Sequence, residues 1–199
     1  MNPQVAEIVA RIRSLEDELE AELARQREAL AYRVENKRVI FEETMARHHR
    51  ELKIRVLRYL AQARPLSVIT APVIYSLIVP FVLLDLFVTL YQAICFPAYG
   101  IRKVRRAEYF AFDRAHLGYL NAIEKLNCAY CSYANGLLAY VSEIAARTEQ
   151  YWCPIKHSRR VLGVHSRYRE FVDFGDADAF REESDALRVQ LRAENRNGR

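Results

Sequence analysis

The chain has 199 residues, enough for one domain of ordinary size or a small domain with a long appendage. Six glycines, six prolines and 51% hydrophobic residues argue against disorder and against an all-β sandwich, which needs many Gly/Pro turns. A net charge of +5 points to anionic surfaces, lipid or nucleic acid, and the long apolar run described below favours lipid.

The opening stretch MNPQVAEIVARIRSLEDELEAEL is acidic and amphipathic. It has no continuous apolar core behind a basic start, so it does not read as a secretory signal peptide. From Pro3 to about residue 64 the chain reads as helix nearly throughout, because no Gly or Pro interrupts it before Pro65. Ile8, Ile12, Leu15, Leu19, Leu23 and Leu30 make a stripe at helical spacing, with Glu and Arg opposite. That pattern fits a weak coiled coil, through which the chain binds a partner or a second copy of itself, or a helix folded onto its own domain. Residues 46–64 add Arg47, Arg50, Lys53, Arg55, Arg58 and Arg64 against a single Glu51, a basic approach to an anionic membrane surface.

Residues 66–96, LSVITAPVIYSLIVPFVLLDLFVTLYQAICF, carry one formal charge, Asp85. A straight helix of that length runs roughly 46 Å, against a hydrocarbon core of about 30 Å. The run is long for one span and short for two. Pro80 divides it, and Lys/Arg clusters flank both ends, so a re-entrant helical hairpin with both flanks on one side leads, ahead of a single tilted span and, third, a buried soluble helix pair. Asp85 has two readings: a functional carboxylate at membrane depth, or one that is protonated or paired with an Arg or a hydroxyl at the hairpin tip.

Beyond the apolar run, residues 104–133 are expected to be helical and to break near Asn135-Gly136, a turn signal. Residues 137–151 form a further helix. Residues 153–175 lose the helical period and read as irregular structure over a basic surface. A last, polar helix from Asp176 to about Asn195 has only Leu187 and Leu191 to bury, and its end should fray.

Four cysteines are too few for a disulfide scaffold and suit a reducing cytoplasm. Cys128-Ala-Tyr-Cys131 followed by Cys153-Pro-Ile-Lys-His157 gives C-x2-C-x21-C-x3-H, a spacing read as a structural zinc site, with iron or an iron–sulfur centre as the alternative cofactor. An unbroken helix over 137–151 would hold Cys131 and Cys153 roughly 22 Å apart. The four ligands therefore meet in one chain only if the helix breaks at Asn135-Gly136; otherwise a partner chain must supply the second pair. A fold-back at 134–136 would instead set Cys153 and His157 beside Asp113 and His116. A redox dithiol at Cys128/Cys131 and thiols buried as small hydrophobes complete the alternatives. Cys95, inside the apolar run, reads as inert. The carboxylates Glu108, Asp113, Glu124, Glu143 and Glu149 lack the paired Glu-x-x-His of a di-iron bundle and read as a salt-bridged helix face. No phosphate loop, dinucleotide fingerprint or nucleophile elbow is present, and no small-molecule substrate is indicated.

The runs Asn127-Cys128-Ala-Tyr-Cys131 with Tyr133-Ala-Asn-Gly136, and Glu149-Gln-Tyr-Trp-Cys-Pro-Ile-Lys-His157, resemble those of an uncharacterised bacterial family of small membrane-associated helical proteins. The resemblance covers roughly residues 66–170 and implies membrane association without an activity. The resulting expectation is an all-α chain in four parts: a long N-terminal helix (1–64), a membrane segment (65–100), a helical Cys/His region (101–175) and a polar C-terminal helix or tail (176–199). It would serve as a scaffold or accessory protein on the cytoplasmic face of a bacterial inner membrane, stapled by a Cys128/Cys131/Cys153/His157 metal site. A membrane-bound redox protein is the rival reading, and a peripheral nucleic-acid binder the third.

Overall fold

A computed structural model describes residues 3–29, 32–35 and 38–197. Helix dominates, as the low Gly/Pro content predicts, in the order α1 (Pro3–Ala29), β1 (Tyr32–Glu35), β2 (Arg38–Phe41), α2 (Glu43–Glu51), α3 (Val56–Gln62), α4 (Pro65–Ser76), α5 (Ile78–Tyr99), α6 (Ala122–Trp152) and α7 (Ala177–Asn197). Short 3-10 turns stand at Arg106–Glu108, Asp113–His116 and Ser166–Glu170. The chain divides into two compact units that do not follow its order. One comprises Met1–Pro72 with Phe112–Ser132, the other Val73–Ala111 with Tyr133–Arg199.

In the first unit the expected helix over 3–64 is broken by an antiparallel hairpin. Tyr32 pairs with Phe41, Arg33 with Ile40, Val34 with Val39 and Glu35 with Arg38. The residues YRVE and RVIF are rich in β-branched and aromatic types, and that local preference outweighs the absence of Gly and Pro. The basic run 46–64 falls into two short helices, α2 and α3, separated at Leu52–Arg55. On α1, Ile8, Leu15, Leu19 and Leu23 are exposed and Ile12 is half-buried, so the apolar stripe finds little cover within the unit. Leu30 lies outside the described residues.

The apolar run does not fold back on itself. Leu77, between α4 and α5, has φ −63° and ψ −14°, which continues a right-handed helical path and leaves no reversal there. Pro80 falls in the first turn of α5, where a missing N–H is one of the helix's unpaired donors in any case. The re-entrant hairpin expected at Pro80 is therefore replaced by a single helical course. α5 stops at Gly100, whose φ of 73° suits only glycine well. There the Ile101 N–H bonds to the Phe96 carbonyl at 2.8 Å and the Gly100 N–H to that of Pro97 at 3.2 Å, closing a Schellman-type end.

The segment 104–133 is not one helix. Residues 101–121 are irregular, with two 3-10 turns, and α6 starts only at Ala122. Asn121 fixes that start: its side-chain oxygen accepts from the N–H of Ile123 (3.0 Å) and Glu124 (3.1 Å), while Glu124 accepts from the Asn121 N–H at 2.8 Å. This reciprocal cap is worth about 1 kcal/mol. α6 then runs through Asn135-Gly136 without a break. A Cβ on Gly136 would sit 2.7 Å from the Tyr109 carbonyl oxygen and 3.1 Å from the Phe110 ring. The glycine serves close packing of the 109–110 loop, and no turn forms.

The second unit holds the core: Phe96 of α5, Ile101 and Val104 of the loop, Leu137, Tyr140 and Ile144 of α6, and Leu191 of α7. Leu191 is fully buried and Leu187 nearly so. Two leucines at i, i+4, with buried Ser184 on the same face, therefore suffice to dock α7, although so few looked unable to bury it; residues 198–199, where the end was expected to fray, lie outside the described residues. Gln150 reaches the Leu187 carbonyl at 3.1 Å and Asn195 that of Gly100 at 3.2 Å. Residues 153–175 are irregular, as expected, tied by a parallel bridge between Ile155 and Val172.

Candidate membrane-facing surface and its polar support

Within the second unit α5 and α6 run in the same direction. Tyr133 meets Asp85 and Tyr140 meets Gln92, two pairs with the same sequence offset of 48, and Tyr91 meets Thr148 further along. This pairing gives α5 two faces. Phe81, Leu84, Val88, Tyr91, Gln92 and Phe96 pack into the unit. Val79, Val82, Leu83, Leu86, Phe87, Leu90 and Ile94 point outward and are 50–65% exposed. Their steps of three, one, three, one, three and four keep them on one side of the helix. Covering half of a side chain of this size is worth on the order of 1 kcal/mol, so the stripe represents several kcal/mol of unmet burial. The helical course Pro65–Tyr99 is long and apolar enough to cross a membrane, and none of its most apolar stretch is buried.

Asp85 sits on the inner side of this helix. Both of its oxygens accept from the Arg106 guanidinium, one at 2.7 Å; Tyr133 donates to it at 2.9 Å and Thr89 at 3.4 Å. The carboxylate is 14% exposed and the guanidinium 45%, and the latter lies 4.2 Å over the Phe110 ring. The hydrogen bond to Asp85 holds the Arg106 charge above its ordinary pKa. Burial, and then donation to Asp85, push the Tyr133 hydroxyl up. Of the readings open for Asp85, pairing with an Arg and hydroxyls is the one observed, although no hairpin tip is involved. Two turns on, buried Gln92 donates to the Tyr140 hydroxyl at 2.7 Å and accepts from the Val104 N–H at 2.5 Å. Loop 100–111 is thus stitched back along α5 at both points.

The acidic residues of α6 are likewise engaged. Glu143 takes Arg147 at 2.7 Å and Arg167 at 3.2 Å, and Arg167 also grips Gln150 at 2.8 Å and Glu194 at 2.9 Å. Burial opposes the Arg167 charge, but the bonds to Glu194 and the nearby Glu143 outweigh it and raise its pKa. His165 and Glu149 form a 2.9 Å pair through Nε2. The other ring nitrogen, Nδ1, accepts from the Tyr168 N–H at 3.1 Å, so neither is left for a substrate. Glu124 serves the α6 cap and Glu108 pairs with Arg105. Of the carboxylates read from the sequence as a salt-bridged face, Glu108, Glu143 and Glu149 are ion-paired and Glu124 caps α6.

The sulfur ligands do not assemble within one chain. Cys128 and Cys131 lie one turn apart on α6, while Cys153 and His157 follow its far end, so an unbroken helix separates Cys131 from Cys153 by roughly 33 Å of rise. Among the described residues no group of three or more His, Cys, Asp or Glu could hold a metal ion, so Cys128, Cys131, Cys153 and His157 form no such cluster here. Nor do Asp113, His116, Cys153 and His157. The physical reason is that α6 runs unbroken through Asn135-Gly136, where the ligand set needs a break. A metal at the four residues would have to join two chains. All four cysteines are thiols; Cys131 and Cys153 are exposed, Cys95 and Cys128 half-buried. His157 instead stacks on Tyr168.

In the first unit a cavity of about 320 Å³ opens between Phe41, Met45, His49, Asp113, Leu117 and Tyr119. The His49 ring meets Phe41 edge-on at 4.7 Å and Tyr119 at 5.0 Å, with its Nδ1 shielded from solvent. Gly118 makes room for it; a Cβ there would sit 3.1 Å from the His49 Cβ. His49 therefore packs, while its neighbour His48 is exposed. The sequence gives no sign of this cavity, because its walls come from segments some seventy residues apart.

No protein family, curated protein or solved structure matches this chain.

Proposed function

We propose that the chain is a membrane-attached helical scaffold or accessory protein, resting on an anionic bilayer with its folded units on the cytoplasmic side. The observation that carries this reading is α5 itself: one face forms the wall of a packed unit, while the other is an uninterrupted apolar stripe. A soluble protein seldom leaves so long an apolar surface uncovered. Exposed Lys103 and Arg105 just past α5, with the basic residues of α2 and α3 before it, suit acidic headgroups. The largely exposed stripe of α1 supports binding to a helical partner or to a second copy of the chain.

Flotation of the purified chain with phosphatidylcholine/phosphatidylglycerol vesicles tests the reading. Co-flotation that survives high salt but is lost in detergent is the expected result. Recovery of monodisperse protein from the high-speed supernatant of lysed cells, without detergent, would refute it.

A further inference from the structure

The residues on either side of the apolar helix belong to one packed unit. β2 and α2 precede the helix, and Asp113–Tyr119 follows it. Yet β2 packs on the Asp113–His116 turn, the His49 ring meets Tyr119 edge-on, and Gly118 lies under His49. A helix crossing the bilayer would put these two segments in opposite compartments and pull that unit apart. A re-entrant hairpin would keep them together, but the chain does not reverse at Leu77, and α5 runs unbroken from Ile78 to Tyr99.

We infer that α5 lies flat in the headgroup–acyl boundary, with the Val79/Leu83/Phe87/Leu90/Ile94 stripe facing the acyl chains and its opposite face carrying the folded unit. The inference rests on the membrane attachment proposed above and adds its geometry. Length agrees with it: Pro65–Tyr99 as one helical course runs roughly 52 Å, well beyond a hydrocarbon core of about 30 Å but unconstrained in the membrane plane. Charge agrees as well. Asp85 and Gln92 lie on the inner side, where Asp85 meets Arg106 and Tyr133 and Gln92 meets Tyr140; Thr89 is exposed at the margin, where it donates to Asp85, and the Val79/Leu83/Phe87/Leu90/Ile94 stripe has no polar member. A helix inserted end-on would carry Asp85 and its arginine into hydrocarbon, at a cost that a flat helix avoids. The occupant of the stripe is therefore lipid, with acidic headgroups meeting the flanking Lys103 and Arg105.

Depth measurement by spin labelling tests this geometry. The full chain, with its four cysteines changed to serine, receives single cysteines at Leu83, Phe87, Leu90 and Ile94, all outward positions that leave the core untouched. It is bound to phosphatidylcholine/phosphatidylglycerol vesicles, and nitroxide depth is read from relative collision with oxygen and a nickel chelate. Equal depths at the four sites, roughly 5–10 Å below the phosphates, are expected, with a label at Val88 on the inner face shielded from both reagents. Depths changing steadily by about 1.5 Å per residue from Leu83 to Ile94 would show an inserted helix and overturn the flat geometry, leaving membrane attachment intact. Four water-exposed labels on protein that stays off the vesicles would overturn the attachment reading, and the inference with it.

Discussion

Gly136→Ala offers a sharp test of the packing of α6, because two physical effects predict opposite signs. In an exposed helix interior, alanine is favoured over glycine by about 1 kcal/mol. Here the added Cβ would lie 2.7 Å from the Tyr109 carbonyl oxygen, closer than real Cβ contacts come, and 3.1 Å from the Phe110 ring. The carbonyl belongs to the backbone of a loop held upstream by Gln92 to Val104 and by Arg106 to Asp85, and next to it the Phe110 ring packs under the Arg106 guanidinium and against Tyr140, so it cannot swing aside freely. Overpacking of this kind typically costs 1–3 kcal/mol, and the propensity gain offsets at most a third to all of it. A net loss of up to about 2 kcal/mol is expected, or a fall in Tm of up to roughly 8 °C for a chain of this size. Thermal unfolding in mild detergent, followed by far-ultraviolet circular dichroism, measures it. Ser142→Ala, at an exposed position on the same helix, should move Tm slightly the other way. If Gly136→Ala raises Tm as the control does, the close approach of the 109–110 loop is wrong.

Two further outcomes follow from the polar contacts. Arg106→Gln and Asp85→Asn should each loosen loop 100–111, costing on the order of 1–2 kcal/mol given the half-exposed guanidinium, and the double variant should cost little more than either alone; limited proteolysis within the loop reads this, and additive losses would show that the two act separately. Cys131→Ser and Cys153→Ser, both at exposed positions, should shift stability by less than about 0.5 kcal/mol in the monomer; loss of bound metal together with dissociation of a dimer would reveal a site shared by two chains.

What the sequence made legible is the apolar run, because a stretch with a single charge announces itself whatever it packs against. Its topology was less legible, since Pro80 looks the same whether it ends a helix or opens one, and only the backbone at Leu77 decides. The start of α6 was written in Asn121-Ala-Ile-Glu124, a capping signal overlooked while the helical period was read straight through 104–133. Gly136 was misread for a tertiary reason: its neighbour in space, Tyr109, is twenty-seven residues away, and a turn signal judged locally cannot see it. The same mistake produced the metal site, whose four ligands meet only if that glycine bends the chain. The hairpin at 32–41 hid among charged residues that also suit a helix, and β-branched spacing was the available clue. α7 was undervalued because two leucines look meagre until Arg167, Gln150 and Asn195 are seen to hold the helix by its polar groups.

The average apolarity of α5 conceals an arrangement opposite to that of an ordinary surface helix. A surface helix buries its apolar face and shows its polar one to water. In α5 the polar members Asp85, Thr89 and Gln92, at i, i+4 and i+7, mark the edge nearest the folded unit, Thr89 itself being exposed, while the stripe from Val79 to Ile94 is apolar. Both faces therefore pass any hydropathy test, and only the spacing of three polar residues separates the wall of a fold from the face turned to lipid. That spacing also divides the effects of mutation. Changes at 85, 89 and 92 act on the folding of the second unit through Arg106, Tyr140 and loop 100–111. Changes at 83, 87, 90 and 94 act on what the helix lies against and leave the core as it is. A variant that separates binding to vesicles from thermal stability should thus be found on one side of α5 and not on the other.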